Sequence, residues 1–457
     1  MTEKAPRQLA LLALQDIQQK GAYTDIALDR VLRSSHLEPR DRALVTELVY
    51  GIVRRQRSLD ALIDQLAKKK ARQQPPVLRG ILWLGLYQLR YLDQIPAAAA
   101  VHTSVELAQN NRLGKLKGVV NGILRQYIRL AEKQSDPLLL TQNPVSRVGT
   151  LHSFPDWMVQ TWVDNYGVEE TAQLCDWFNQ PPHLDLRVNP LKCSVEDVER
   201  ALHAQNIPAT RIPFCPQGLR LEVGSGAIQG LPGFAEGWWT VQDASAQLVT
   251  HLLDPQPGEK IWDVCAAPGG KTTHIAELMG DRGWVLASDR DRKRLRKISQ
   301  NAQRLQLQSI HTEAGDSRSL AVGLVDRVLV DAPCSGLGTL HRHPDIRWRQ
   351  NPTKIAELVQ LQRELLTQSA QKVKANGILI YSTCTLNAAE NEEVVKFLLK
   401  QQPDWQICAA SEGASSIPGL TAAGWYNILP HRHDMDGFFM VKLQRCPVGE
   451  SGCIVGE

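Results

Sequence analysis

From residue 5 to residue 133 the apolar positions fall at helical spacing. Leu9, Leu12, Ala13 and Ile17 recur on one face, as do Leu44, Leu48, Ile52 and Val53. Ile81-Leu-Trp-Leu-Gly-Leu-Tyr-Gln-Leu89 is apolar nearly all round and predicts a helix central to a bundle. Pro75-Pro76 and Pro96 break the pattern between helices. Val119 to Leu130 adds another amphipathic run. No alternating pattern occurs here, so residues 1–135 are expected to form an all-α bundle.

Residues 136–150, with Asp, Pro, Thr, Gln and Asn, predict a linker. A short helix is expected from Pro155 to Trp162. Leu184-Asp-Leu-Arg-Val188 and Gly218-Leu-Arg-Leu-Glu-Val223 alternate like strands around a helical run, Val195 to Gln205. A small α+β domain over 151–237 follows. From 238 to 446 the pattern becomes strand, loop, helix, repeated. Strands are expected at 260–264, 284–289, 326–331 and 377–382, with helices at 272–279, 292–305 and 355–373. Apolar strands alternating with helices imply a parallel sheet covered on both faces, with ligands beyond the strand carboxyl ends. Residues 447–457 are left as a tail.

A chain of 457 residues with 43% hydrophobic residues is globular and too long for one core. Nine cysteines, with no Cys-x-x-Cys pair, argue against a disulfide framework and a structural zinc site. Met1-Thr-Glu-Lys-Ala-Pro-Arg7 has no apolar signal core, and no apolar stretch is long enough to span a membrane. A cytoplasmic, metal-free monomer away from the membrane is expected. The net charge of +4 is uneven. Residues 1–135 hold 22 Lys+Arg against 12 Asp+Glu, a net of +10, and the remainder carries −6. The clusters Arg54-Arg55-Gln-Arg57 and Lys68-Lys-Lys-Ala-Arg72 point to an anionic polymer such as RNA. A solvated helical face would look the same.

The chemistry lies at the strand ends. Asp263-Val-Cys-Ala-Ala-Pro-Gly-Gly-Lys-Thr272 joins a strand to a helix, and Gly269 and Gly270 allow a tight turn close to a ligand. Neither the Walker spacing nor Gly-x-Gly-x-x-Gly is present. Asp289 ends the next strand, 19 residues after Gly270, where a carboxylate can accept ribose hydroxyls. Asp316 closes a further segment and Asp331 another. Each alone is a common cap or turn residue, but three acids ending successive strands favour a cofactor crevice over three unrelated caps. Cys334, in Asp331-Ala-Pro-Cys-Ser-Gly336, and Cys384, in Tyr381-Ser-Thr-Cys-Thr385, follow apolar runs. A lone cysteine is usually a small buried hydrophobe, but Asp, Pro and Gly around Cys334 make an exposed turn where a thiolate can act. His341-Arg-His-Pro-Asp-Ile-Arg-Trp-Arg349 mixes cations with an aromatic, which suits phosphate contact and base stacking and equally a solvated basic loop.

Together these motifs resemble the RNA 5-methylcytosine methyltransferases of the Nol1/Nop2/Sun family, over 238 to 445. The segment 150–237 looks like the small RNA-binding-type domain that precedes the family's core. Val49-Tyr-Gly-Ile-Val-Arg-Arg-Gln-Arg-Ser-Leu-Asp60 looks like part of a NusB-type domain. The resemblance implies a Rossmann-like catalytic domain, S-adenosylmethionine as cofactor, and a single-stranded or flipped cytosine of 16S rRNA as target. It implies a cofactor site of Cys265, Ala266, Ala267, Pro268, Gly269, Gly270, Lys271, Asp289, Asp316 and Asp331. It assigns attack to Cys384 and release to Cys334, with Asp331 on the cytosine edge or the methionine ammonium, and Lys271 assisting by charge. Only 12 residues follow Arg445, too few for the C-terminal RNA-binding domain of some relatives. The same chemistry on tRNA, a non-catalytic ribosome-assembly factor and a nicotinamide dehydrogenase stay open.

Overall fold

The computed structural model describes residues 5–134, 136–222, 228–408 and 417–447. Val223 and nearly all of the tail at 447–457 lie outside them. The chain divides into two compact units. One comprises residues 1–180 with Leu340–Arg349, the other residues 181–339 with 350–457.

The first unit is helical: α1 (Pro6–Lys20), α2 (Thr24–Arg33), α3 (Pro39–Leu66), α4 (Pro76–Tyr91), α5 (Ala97–Asn110), α6 (Lys117–Ala131), α7 (Pro144–His152) and α8 (Asp156–Trp177). The α4 run expected to be central is central. Leu78, Ile81, Leu82, Trp83, Leu84 and Leu86 are all buried. At Gly51 of α3 a Cβ would lie 1.9 Å from the Tyr87 hydroxyl of α4, so any side chain there would force the helices apart. The linker expected over 136–150 contains most of α7. The missed signal was Asn143-Pro144: the Asn143 side chain accepts from Ser146 N at 2.9 Å, and proline suits the first helical turn. The short helix expected from Pro155 runs on to Trp177 and packs with this unit, not with the strands that follow.

The second unit holds two sheets. Strands β1 (Leu184–Val188), β2 (Ala209–Arg211), β3 (Gly218–Leu221) and β4 (Trp239–Val241) form an antiparallel sheet in the order β2-β3-β1-β4. With α9 (Val195–His203) they enclose Leu186, Val188, Val198, Leu202 and Trp239. Then come α10 (Ala244–Leu253), β5 (Lys260–Asp263), α11 (Gly270–Leu278), β6 (Trp284–Asp289), α12 (Arg292–Leu305), β7 (Ile310–Ala314) and β8 (Val325–Asp331). After α13 (Ile346–Arg349), which belongs to the helical unit, follow α14 (Pro352–Ala370), β9 (Val373–Thr383), α15 (Glu392–Gln401), β10 (Trp405–Ile407), β11 (Tyr426–Ile428), α16 (Pro430–His433) and β12 (Phe438–Arg445). The large sheet runs β10-β12-β9-β8-β5-β6-β7, with β11 on β12.

Its β9-β8-β5-β6-β7 part is parallel, as expected. The other edge is not: β12 lies antiparallel to β9, with Val441 opposite Tyr381, and β10 and β11 antiparallel to β12. Phe438 to Leu443 are all buried, so no alternation marks β12 as a strand. A buried ion pair ties β1 to α11. Arg187 Nη2 lies 2.8 Å from Glu277 Oε1 and Arg187 Nε 2.9 Å from Oε2, with side chains 0% and 1% exposed.

Candidate active site

Because β5, β6, β8 and β9 are parallel, their carboxyl ends share one edge of the sheet, and every loop singled out above leaves from there. After β5 the chain turns through Val264 to Gly269 into α11. Ala266 N donates to Ser288 O at 2.9 Å, and Ser288 Oγ donates to Val264 O at 3.0 Å. Gly269 has φ +102°, and a Cβ there would lie 2.9 Å from Ile298. Its glycine is required by conformation and by α12. Gly270 is an ordinary helical residue whose Cβ would meet nothing closer than 3.6 Å. The expected need for two glycines at a ligand reduces to one, and that one answers to Ile298.

The register of β8 on β9 sets Asp331 opposite Ser382, and Ala332 N donates to Ser382 O at 2.9 Å. Two loops about 50 residues apart in sequence thus emerge side by side. Cys334 Sγ lies 3.4 Å from Cys384 Sγ, and both are partly exposed. Their hydrogen bond, followed by burial and the charge of Glu390, holds the Cys334 thiol well above the ordinary thiol value. Two thiols this close do not both ionise readily.

Lys271 Nζ, on the first turn of α11, donates to Asp331 Oδ2 at 2.7 Å. It lies 5.0 Å from the centre of the Phe438 ring. Burial lowers the pKa of this ammonium, but the charge and hydrogen bond of Asp331, with a further contribution from Cys384, carry the net shift upward. Lys271 is therefore a fixed cation beside both groups. Asp331 also accepts from Ser382 Oγ at 3.0 Å. Behind the loop Asp263 is wholly buried and accepts from Thr272 Oγ1 at 2.6 Å. Burial pushes its carboxyl up to about 7.

A cavity of about 540 Å³ opens at these strand ends. Its lining includes Cys265, Ala267, Asp289, Asp316, Asp331 and both cysteines of the pair. Of the expected cofactor set, Ala266, Pro268, Gly269 and Gly270 shape the turn and Lys271 holds Asp331. Asp289 is 7% exposed and accepts from Asp291 N at 2.8 Å. Asp316 follows β7 by two residues, and the Arg318 guanidinium grips both its oxygens at 3.0 and 2.6 Å. That contact draws its carboxyl down to about 2. Burial, with the charges of Asp263, Asp331 and Asp289, raises the pKa of the Cys265 thiol. Arg290, Asp291, Arg294, Ser317, Leu361 and Leu365 also line the cavity and were not anticipated. Asp291 carried a legible signal, since it caps α12 by accepting from Lys293 N at 2.7 Å. Leu361 and Leu365 read as ordinary helix-face residues.

The model of the family described as 16S rRNA methyltransferase RsmB/F matches residues 250–444. A NusB family model matches 4–129, and a ferredoxin-like domain of RsmF/B-like methyltransferases matches 154–227. The probable ribosomal RNA small subunit methyltransferase B of Synechocystis is 53% identical over 96% of this chain and 99% of its own length. The chain belongs to the RsmB/F family. The Bacillus subtilis protein of the same name is 35% identical over 97% of the chain and 100% of its own. Among solved structures, that of PH0851 superposes with a TM-score of 0.79 at 26% identity, over 96% of this chain and 99% of that one. The order expected from sequence therefore stands: a NusB-type bundle, a small α+β domain and a Rossmann-like methyltransferase domain.

The basic segments need correction. Arg54 is buried, and its Nη2 donates to His341 O at 3.0 Å. Arg57 donates to Phe154 O at 2.5 Å and pairs with Asp156 at 2.6 Å. Arg347 is 0% exposed and stacks 3.9 Å from the Phe154 ring centre. It donates to Arg54 O, Ser153 O, Asn179 Oδ1 and Leu340 O at 3.1–3.3 Å. Trp348 Nε1 donates to Val53 O at 2.8 Å. Arg54 and Arg347 thus lie in the interior of the helical unit, while Arg57 and Trp348 are half-buried. Lys68, Lys69, Lys70 and Arg72 are exposed. Among the described residues no group of three or more His, Cys, Asp or Glu is arranged to hold a metal, and no helix is long and apolar enough to cross a membrane.

Proposed function

We propose that this protein methylates C5 of a cytosine in 16S rRNA, through a covalent bond between Cys384 and C6 of the base. The observation that carries the reading is the pair of thiols 3.4 Å apart beside Lys271 and Asp331, at the mouth of an acid-lined cavity. A cavity of about 540 Å³ is of the size that encloses a nucleoside-like ligand. Its carboxylates suit the ligand's groups: Asp289 the ribose hydroxyls, Asp316 an adenine amine, and Asp331 an ammonium or the cytosine edge. S-adenosylmethionine held there supplies an electrophilic methyl group to a base carbon made nucleophilic by addition at C6.

The chain's own residues do the rest. The Cys384 thiolate adds to C6, and the electrons of the C5–C6 double bond move towards C5. Lys271 is a fixed cation beside the attacking sulfur and Asp331. Once Cys384 is bonded to carbon its charge is gone, and with it part of what held the proton on Cys334. Cys334 can then lose that proton to solvent and, once C5 carries the methyl group, take the proton from C5 as base. The C6–sulfur bond breaks, the double bond returns, and Cys384 leaves as thiolate. The target base must be unstacked to reach both thiols.

Transfer from labelled S-adenosylmethionine to 16S rRNA and to tRNA, with bisulfite mapping of the product, tests this. Wild-type protein should label one cytosine of 16S rRNA. Cys384→Ala should lose at least about 10⁴-fold in rate while cofactor affinity persists. Near-normal transfer by this variant contradicts the assignment of the nucleophile, and labelling confined to tRNA contradicts the substrate.

A further inference from the structure

Glu390 lies in a short turn between β9 and α15 and is 0% exposed. It touches no reacting atom, yet its carboxylate is bonded beside both cysteines. Ser335, the residue after Cys334, donates its backbone N–H to Glu390 Oε1 at 2.7 Å and its hydroxyl to Oε2 at 2.5 Å. Thr385, the residue after Cys384, lies with Oγ1 3.4 Å from Oε2. The Ser335 and Thr385 hydroxyls are themselves 2.8 Å apart. Gln362 Nε2, from α14, donates to Oε1 at 3.1 Å, and the Tyr381 hydroxyl donates to the Glu390 carbonyl at 2.6 Å. Ser335, Thr385, Gln362 and Tyr381 are all at most 1% exposed.

We propose that Glu390 is the positioning residue that sets the gap between Cys334 and Cys384. This rests on the roles given to the two thiols above. The strand register holds the loops together as far as Ala332 and Ser382. Past that point the loops separate from the ladder, and the thiol-bearing residues need another tie. One is Gly338 N on Cys384 O at 2.9 Å. A second is the direct Ser335–Thr385 hydroxyl contact at 2.8 Å, and a third is this carboxylate, which joins the neighbours of both cysteines in a single group. A buried carboxylate is retained only where it is well hydrogen-bonded, and the donors that satisfy Glu390 come from the cysteine loops and the helix beside them. The tie is unequal. Ser335 contributes two short bonds and Thr385 one long one, so Cys334 depends on Glu390 more than Cys384 does. Loss of Glu390 should therefore slow release more than attack.

The test uses full-length protein with 16S rRNA and S-adenosylmethionine. It compares wild type with Glu390→Ala, Glu390→Asp and Glu390→Gln. Three quantities are read: turnover, the lifetime of the covalent protein–RNA adduct on denaturing gels, and capture of the thiol pair by phenylarsine oxide, which bridges only closely spaced thiols. Cofactor affinity reports folding. Glu390→Ala should lose about 100-fold in turnover, the effect of a misplacement of roughly 1 Å. Its adduct should outlive that of wild type, and arsenical capture should weaken. Glu390→Asp keeps the charge but withdraws the oxygens, and should show the same pattern more mildly. It is the variant to read if Glu390→Ala does not bind cofactor. Glu390→Gln still accepts from Ser335 N and should recover to within about tenfold. Wild-type adduct lifetime and arsenical capture in a folded Glu390→Ala or Glu390→Asp protein overturn the proposal. If Cys384→Ala keeps its activity, the reading of the pair has failed instead, and arsenical capture still reports the spacing.

Discussion

Arg54 and Arg347 in the helical unit and Asp289 and Asp331 in the sheet unit were alike in sequence as charged residues placed to meet a ligand or nucleic acid. Their surroundings are opposite. The arginines are buried, and their hydrogen bonds go to backbone carbonyls and the Asn179 side chain of their own unit. The aspartates end strands and line a cavity. The difference lies in what fixes the position of a charge. A strand end in a parallel sheet has a fixed place, the carboxyl edge, where the backbone ladder stops and ligands bind. A charge on a helix can face core, solvent or partner, and a cluster of arginines does not say which. In the basic half, Arg54 lies inside the fold, so that member of the cluster is held by the protein itself.

The largest test of this contrast is on stability. Arg347→Ala removes a buried cation and leaves several carbonyl oxygens unsatisfied beside a cavity. It should cost about 4 kcal/mol, read as a shifted denaturant midpoint. The salt dependence of RNA binding, measured where the variant is folded, should be unchanged. An unaltered midpoint with weakened RNA binding would reverse the assignment of Arg347.

A smaller effect is expected from the exposed cations. Neutralising Lys68, Lys69 and Arg72 together should leave the melting temperature in place. It should reduce the log–log salt slope of RNA binding by roughly 0.7 to 0.9 for each phosphate that is no longer neutralised. A triple variant with the wild-type slope and full activity shows that this cluster, too, is only a solvated face.

The smallest concerns Asp263. Its carboxyl is raised by burial from the ordinary value near 4 to about 7. The folded state therefore holds the proton more tightly than the unfolded chain does. That contribution is complete below about pH 4 and is lost as pH rises through 7. Asp263→Asn cannot ionise, so its stability relative to wild type should rise between pH 5 and pH 8, by about 2–4 °C in Tm. A constant difference across that range would show that Asp263 does not titrate there.

How much was legible follows the same division. β5, β6 and β8, and the loops that end them, were readable because a buried parallel strand is a short apolar run with its chemistry just past the end. The pairing of Cys334 with Cys384 was implied by resemblance alone. Their contact depends on the register of Asp331 against Ser382, which no local pattern encodes. β12 was missed because a fully buried run has no period of its own. The segment 341–349 carries the composition of an RNA loop, but its His341, Asp345 and Arg347 are buried. Its burial against Val53, Arg54 and Ser153 is a long-range fact. Glu390 was passed over as one acid among several in Glu390-Asn-Glu-Glu393.

The division of labour between the thiols is tested most directly by Cys334→Ala. Incubated with 16S rRNA and S-adenosylmethionine, it should give an RNase-sensitive band of reduced mobility on a denaturing gel. The trapped cytosine should already carry its methyl group by mass spectrometry, and the band should vanish in the Cys334/Cys384 double variant. A trapped adduct in Cys384→Ala, and none in Cys334→Ala, would mean that the two cysteines exchange roles.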